Sequence, residues 1–319
     1  MLVSVCCIAY NHEKYIGKAL DSFLMQKTTF DYEIIVHDDA STDGTASIIK
    51  QYEKRYPNKI RGIYQKENQY SKGNKRILLF AHEIANGKYI ALCEGDDFWT
   101  DENKLQRQVD FMEANKDCGG CFHSGSVIDA KKNYIVGECR TKKYSQKITV
   151  EDILSCKGLA IVSSSIMYRK SILNTLPNFF LISPVGDFPL QIIMASNKYA
   201  YYMEDNMSAY QINVKNSWTS NTRGYKNLKK KRLGYSKEII KTLKEMDKYF
   251  EFKYQELFSE NIIYHELFFY LFSKNFKVLR EEKYVQYLKK QNMKFRIKFF
   301  ILKYLYFMDC IIGRYLWRN

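Results

Sequence analysis

The 319-residue chain is 46% apolar and 27% charged, the balance of a soluble globular protein, and is long enough for one large domain with an extension or for two domains. Its net charge of +15 is lopsided: Thr222 to Asn319 hold 23 Lys and Arg against 10 Asp and Glu, leaving the first two thirds nearly neutral. Such a tail suits a polyanionic partner, an anionic membrane surface before nucleic acid, with a merely solvated basic face as the alternative.

Taken in chain order, Val3 to Ile8 is a continuous apolar run of buried-strand length. After the polar break Asn11-His12-Glu13, apolar residues at Tyr15, Ile16, Ala19, Leu20, Phe23 and Leu24 recur at helical spacing. Glu33 to His37 predicts a second strand ending at Asp38-Asp39, and Ser41 or Asp43 reads as the cap of a helix that Pro57-Asn58 stops. Ile60 to Tyr64 predicts a third strand, Ile77 to Ile84 a helix, and Tyr89 to Cys93 a fourth strand ending at Glu94-Gly95-Asp96-Asp97. Lys104 to Ala114, Val150 to Ser155 and Pro189 to Ser196 predict helices; Gly120 to Asp129 and Ala160 to Tyr168 predict strands. Beyond Asn227 the chain is Lys-, Tyr- and Phe-rich and helical in character, which places a boundary near Ser217–Lys230.

Several classes are set aside. Met1 leads straight into a strand, so no secretory leader is expected. Phe295 to Trp317 is the best membrane-spanning candidate, but Lys298, Lys303, Asp309 and Arg314 interrupt it. Eight scattered Cys fit a reducing cytosol. Cys118-Gly-Gly-Cys121 lacks a second paired motif and reads as a strand rather than a zinc site.

Strands alternating with helices predict an α/β fold with a mostly parallel sheet, and ligands in such sheets bind beyond the carboxyl ends of the strands. Asp38-Asp39 and Asp96-Asp97 both fall at such ends, so the topology puts two acidic pairs on one rim. Adjacent carboxylates on a Gly-led turn are ligands for a hard divalent cation such as Mg²⁺ or Mn²⁺.

SVCCIAYN at Ser4 to Asn11, IIVHDDASTDGT at Ile34 to Thr45 and GKYIALCEGDDFWTDENKLQRQ at Gly87 to Gln108 resemble family 2 glycosyltransferases of bacterial surface-polysaccharide assembly. The likeness covers roughly residues 1 to 220. It implies the Rossmann-like GT-A fold over 1–220, with a nucleotide-sugar half (1–100) and an acceptor half (101–220), followed by a basic helical region at 221–319. It also implies inverting transfer of a hexosyl or N-acetylhexosaminyl group from a nucleotide-diphosphate donor, a UDP-sugar, to a hydroxyl of a cell-surface glycan acceptor; a lipid-linked acceptor would explain a membrane-lying tail. By position, Ala9 and Tyr10 flank the nucleoside and Asp39 accepts from the uracil imide, its alternative being a helix-capping role. Asp96 lies near the ribose or sugar, and Asp97 holds the metal. Val185-Gly186-Asp187-Phe188-Pro189-Leu190 resembles the segment carrying the base, which nominates Asp187; an N-cap role is compatible with that.

Two features depart from the family pattern. Asn213 stands where a histidine often assists near the metal, with Trp218-Thr219 downstream, and Lys75 and Arg76 are candidates for the basic group at the diphosphate by position alone, a solvated helix start being the alternative. In the tail, Phe295, Phe299, Leu302, Tyr306 and Ile311-Ile312 alternate with Lys294, Arg296, Lys298 and Lys303, the pattern of a helix lying in lipid headgroups. A packing helix or a homo-oligomer interface is the alternative. The expected location is cytoplasmic, peripheral on the inner face of the membrane. Competing functions are a nucleotidyltransferase, which would need a Gly-rich phosphate loop where Ala9-Tyr10-Asn11-His12 stands, and an inactive glycan- or nucleic-acid-binding protein. No nucleic-acid module is recognisable, so nucleic acid is not an expected partner.

Overall fold

The structure, a computed structural model, describes residues 1–73, 77–174, 176–214 and 225–304. The first part alternates β1 (Val3–Ala9), α1 (Ile16–Leu24), β2 (Tyr32–Asp38), α2 (Thr45–Arg55), β3 (Ile60–Tyr64), α3 (Ile77–Ile84) and β4 (Tyr89–Glu94). There follow β5 (Phe98–Trp99), α4 (Lys104–Ala114), β6 (Cys118–Asp129), β7 (Tyr134–Cys139), β8 (Gln146–Ile148), α5 (Val150–Ser155), β9 (Met167–Arg169), α6 (Asn178–Ile182), α7 (Asp187–Ser196) and β10 (Tyr199–Ile212). The remainder is helical: α8 (Tyr225–Tyr249), α9 (Gln255–Phe272), α10 (Glu282–Lys290) and α11 (Met293–Tyr304).

The strands form one mixed sheet in the order β3-β2-β1-β4-β9-β6-β10-β5, with β7 on β6 and β8 on β10. β3, β2, β1 and β4 pair in parallel, as do β6 and β10. The short β9 is antiparallel to both β4 and β6, so those two strands run the same way. The carboxyl ends of β1, β2, β4, β6 and β10 therefore share one rim. β1 can be central because its whole run, Val-Ser-Val-Cys-Cys-Ile-Ala, is apolar or small and almost entirely buried. Ile16, Ala19, Leu20 and Phe23 of α1 join its core cluster together with Ile49 of α2.

Three local expectations need correction. Ala160 to Tyr168 is not a continuous strand: Ser163–Ser165 forms a 3₁₀ turn before the short β9. Serines favour local bonds over a ladder, and Ser165 Oγ donates to the Val162 carbonyl at 2.7 Å. The helix expected from Pro189 begins at Asp187, with Gly186 preceding it, so Asp187 is the first helical residue and not the cap. At α2 the preceding residue is Gly44, and Asp43 Oδ1 accepts from the Thr45 amide and hydroxyl.

The chain divides into two compact units, Met1–Leu181 with Val185–Ser217, and Ile182–Pro184 with Trp218–Asn319. The second has its own apolar cluster, in which Leu267, Phe268, Leu271 and Phe272 of α9 meet Tyr284, Tyr287, Phe299 and Leu302. Phe299 and Leu302, expected on a lipid-facing side, are thus core residues, and Phe295 packs against the same cluster. Tyr306 and Ile311-Ile312 lie outside the described residues. Among the described residues no helix is long and apolar enough to cross a membrane.

Candidate active site

The rim is built by main-chain bonds that continue the sheet past its strand ends. The Asp39 amide donates to the Ala9 carbonyl at 2.9 Å, and the Gly95 amide donates to the Ile8 carbonyl at 2.8 Å. Both acidic pairs are thereby fastened on either side of β1. Gly95 is required by space: a Cβ there would stand 2.9 Å from His12 Nδ1 and 3.0 Å from Ala9 Cβ and Ile16 Cδ1. Any side chain would push the Asp96-Asp97 turn off the end of β1.

Beyond the turn the chain crosses to β10, where Phe98 and Trp99 pair with Ala209 and Ser208. That crossing brings Asp97 under Gln211. The Gln211 amide donates to Asp97 Oδ1 at 2.8 Å, and its side-chain amide donates to the Asp96 carbonyl. The other oxygen, Asp97 Oδ2, is buried without a partner, as are Asp96 Oδ1 and His12 Nδ1. Burial without a counter-charge resists ionisation. It pushes the Asp96 carboxyl up to about 6 and that of Asp97 well above the carboxylate range, the neighbouring charges of Asp96 and Glu94 adding to the latter. His12 Nε2 lies 3.7 Å from Asp96, but burial lowers its pKa to about 4, so at neutral pH the ring is neutral and supplies no cation.

The Asp38-Asp39 pair is arranged differently. Asp39 accepts from the Gln69 amide at 2.7 Å on Oδ1 and from the Tyr70 amide at 3.1 Å on Oδ2, while its carbonyl takes the Asn68 side chain. It is an anchor for the loop after β3. Ala9 is buried at the end of β1, and Tyr10 is 37% exposed just beyond it. The loop they open is stitched to the β2–α2 loop by the Asn11 amide on Ser41 Oγ, the Thr42 amide on Asn11 Oδ1 and the His12 amide on Thr45 Oγ1.

Asp187 starts α7 and accepts from the Phe188 amide at 2.8 Å. Glu94 ends β4 on the rim, and the charge of Asp187 is one of the influences on it. Both retain solvent-accessible surface although protein crowds them. Desolvation, then the Asp96 charge, lifts the Glu94 carboxyl to about 7; a hydrogen bond with Ser163 opposes that rise. Burial also raises the Asp187 pKa. Among the described residues the site is therefore an acid-rich rim.

Sequence reasoning missed Glu94, His12, Ser163 and Gln211. The signals were present: Glu94 opens the Glu-Gly-Asp-Asp run, and Gln211 lies two residues before Asn213. Asn213 itself has φ +64° and donates to Asp129 Oδ2 at 2.8 Å. Lys75, Arg76 and Trp218-Thr219 lie outside the described residues. Cys118, Cys121 and His123 are buried along β6. Among the described residues no group of three His, Cys, Asp or Glu side chains can hold a metal ion unaided. Asp97 and Asp96 nevertheless fit one as partial ligands, since each presents a buried oxygen lacking a donor.

The family model for glycosyl transferase family 2 matches residues 4–176, more than half of the chain. The chain belongs to that family. The family's match spans the strands β1, β2 and β4 whose ends carry the acidic rim. The E. coli UDP-Glc:alpha-D-GlcNAc-diphosphoundecaprenol beta-1,3-glucosyltransferase WfaP is 36% identical over 137 residues, 42% of this chain and 49% of that protein. The chain spans about half the length of the curated relatives it matches. Among solved structures, S. aureus TarS in complex with UDP-GlcNAc has a TM-score of 0.61 at 16% identity, covering 95% of this chain and 82% of that one. The Pyrobaculum calidifontis mannosyltransferase PcManGT, in complex with GDP-Man and Mn²⁺, has a TM-score of 0.54 at 15% identity, covering 98% and 87%. These likenesses establish the GT-A fold with a helical region after it.

Proposed function

We propose that this chain is an inverting glycosyltransferase that moves a sugar from a nucleotide-diphosphate donor, a UDP-sugar, to a hydroxyl of a surface-glycan acceptor carried on lipid. The observation that carries the reading is the pair of partnerless buried oxygens, Asp97 Oδ2 and Asp96 Oδ1, on the rim where α/β sheets bind ligands. Family membership supports the reaction class, and the WfaP relative supports a UDP-linked donor and a diphospholipid acceptor. The assignment of residues 1–100 to the donor, 101–220 to the acceptor and 221–319 to membrane association belongs to the same reading, as does a peripheral location on the cytoplasmic face.

Asp97, with Asp96, would hold a divalent cation, Mn²⁺ or Mg²⁺. When bound, that ion supplies Lewis-acid neutralisation of the charge that develops on the leaving diphosphate. Gln211 holds Asp97 by one oxygen, which leaves the other aimed free of protein donors. Asp39, anchored by the Gln69 and Tyr70 amides, keeps further lone pairs for a ring N–H of the base, and Tyr10 covers the nucleoside. Asp187 takes the proton from the acceptor hydroxyl as that oxygen attacks the anomeric carbon from the face opposite the departing phosphate. Its raised pKa makes it a stronger base than an ordinary aspartate once ionised.

The test is a panel of nucleotide sugars with Mn²⁺ and a lipid-diphosphate-linked sugar acceptor, read by nucleotide release and by the anomeric configuration of the product. A UDP-sugar is expected to be consumed with inversion. Asp187→Asn should lower turnover about 10²- to 10⁴-fold with donor affinity kept. Near-normal turnover in that variant would remove Asp187 from the role of base.

A further inference from the structure

α11 (Met293–Tyr304) is apolar on two opposite sides, and among the described residues only one of them is buried. Phe299 and Leu302 are buried in the helical unit, and Phe295 packs beside them. Met293, Ile297, Phe300 and Tyr304 follow one another at intervals of four, three and four residues, so they form a second stripe on the other side of the same helix. They are 71%, 51%, 57% and 56% exposed. Four large apolar side chains in one exposed line are more than the scattered surface hydrophobics of an ordinary protein.

Charge decides what covers the stripe. α11 carries Lys294, Arg296, Lys298 and Lys303 and no acid. At 100° per residue, Arg296 and Lys303 border the stripe on one side and Lys294 on the other. Lys303 Nζ also reaches to 6.0 Å from the ring of Phe276, which is 36% exposed. An apolar strip between rows of cations matches a bilayer surface, with acyl chains taking the strip and anionic headgroups the cations.

We propose that the Met293–Ile297–Phe300–Tyr304 face of α11, with Arg296, Lys303 and Lys294, is a docking surface for an anionic lipid bilayer. The inference deepens the reading of a membrane-peripheral enzyme and rests on it. Its test is separable from catalysis, because lipid binding is measured without donor or acceptor. The face is the reverse of the one the sequence pattern had suggested.

The experiment is sedimentation of the full chain with phosphatidylcholine vesicles, with and without phosphatidylglycerol. Binding is expected only with the anionic lipid. Ile297→Glu/Phe300→Glu should weaken it at least about tenfold, and Arg296→Ser/Lys303→Ser about fivefold per charge removed. Neither variant touches the buried cluster, so helix content and nucleotide release from a soluble donor should match wild type. Ile297→Ser/Phe300→Ser gives the same reading with a smaller perturbation. Undiminished vesicle binding by both apolar variants would overturn the proposal. So would a wild-type dimer, detected by ultracentrifugation, that these variants dissociate while vesicle binding persists, since a second copy would then own the face.

Discussion

Asp39 and Asp97 close the same Asp-Asp dipeptide at the ends of two parallel strands, either side of β1, yet they are held differently, although Asp38 Oδ1 is also buried without a partner. Both oxygens of Asp39 are taken by backbone amides of the following loop. Asp97 has one oxygen held by Gln211 and the other buried with no partner, beside an equally unsatisfied Asp96. A carboxylate held on both oxygens by its own chain organises structure, even while lone pairs remain for a ligand. One that is buried and half-satisfied costs free energy unless something from outside completes it. The difference lies in what crosses above each pair: a loop of local sequence over Asp39, and the distant strand β10 over Asp97.

The largest expected effect tests that contrast at Asp97. Asp97→Asn keeps the acceptor for the Gln211 amide and removes the charge. Transfer should fall about 10²- to 10³-fold, while the thermal midpoint of the ligand-free protein stays level or rises. Gly95→Ala comes next. Its Cβ must displace His12, Ala9 or Ile16, so a destabilisation of about 1–3 kcal/mol is expected, with transfer reduced because both aspartates move. Normal stability and activity in that variant would mean the turn tolerates a side chain. Asp39→Asn should act on structure first. It turns an N–H donor toward an amide that needs an acceptor, costing about 1–3 kcal/mol. Faster hydrogen exchange at Gln69 and Tyr70 and a raised donor KM, with kcat nearly kept, would mark it as an anchor. If Asp39→Asn and Asp97→Asn behaved alike, the contrast between the pairs would be lost.

The smallest effect is in pH. Asp96 and Glu94 hold protons in the folded state up to about 6 and about 7, above their ordinary values of 3.8 and 4.5. The folded protein thus binds more protons than the unfolded chain between those limits. Its stability from these groups is full below about pH 4 and is lost as pH rises through 6 and 7. A thermal midpoint that declines over that range, and declines less in Asp96→Asn, is the expected outcome. A midpoint that rises would show that the acids are paired.

Most of the catalytic unit's framework was legible in the sequence because β1, β2 and β4 are unbroken buried runs closed by polar residues. Lys104 to Ala114 likewise appears as the helix its pattern predicts. What was not legible came from long-range packing or competing local chemistry. Gln211 meets Asp97 across 114 positions of sequence, a contact no periodicity announces. The serines at 163–165 look like part of a strand, but Ser165 Oγ bonds back to the Val162 carbonyl and the run closes a turn. In α11 an apolar pattern on both sides gives no indication of which one the protein covers; only its neighbours Leu267, Phe268 and Leu271 decide that.

The most direct measurement is calorimetric titration of UDP into the protein with Mn²⁺ and with chelator, for wild type and for Asp97→Asn. The account expects Mn²⁺ to tighten UDP binding in the wild type and to leave the variant's affinity unchanged. Equal tightening by Mn²⁺ in both proteins would place the cation on other groups and contradict the role given to Asp97.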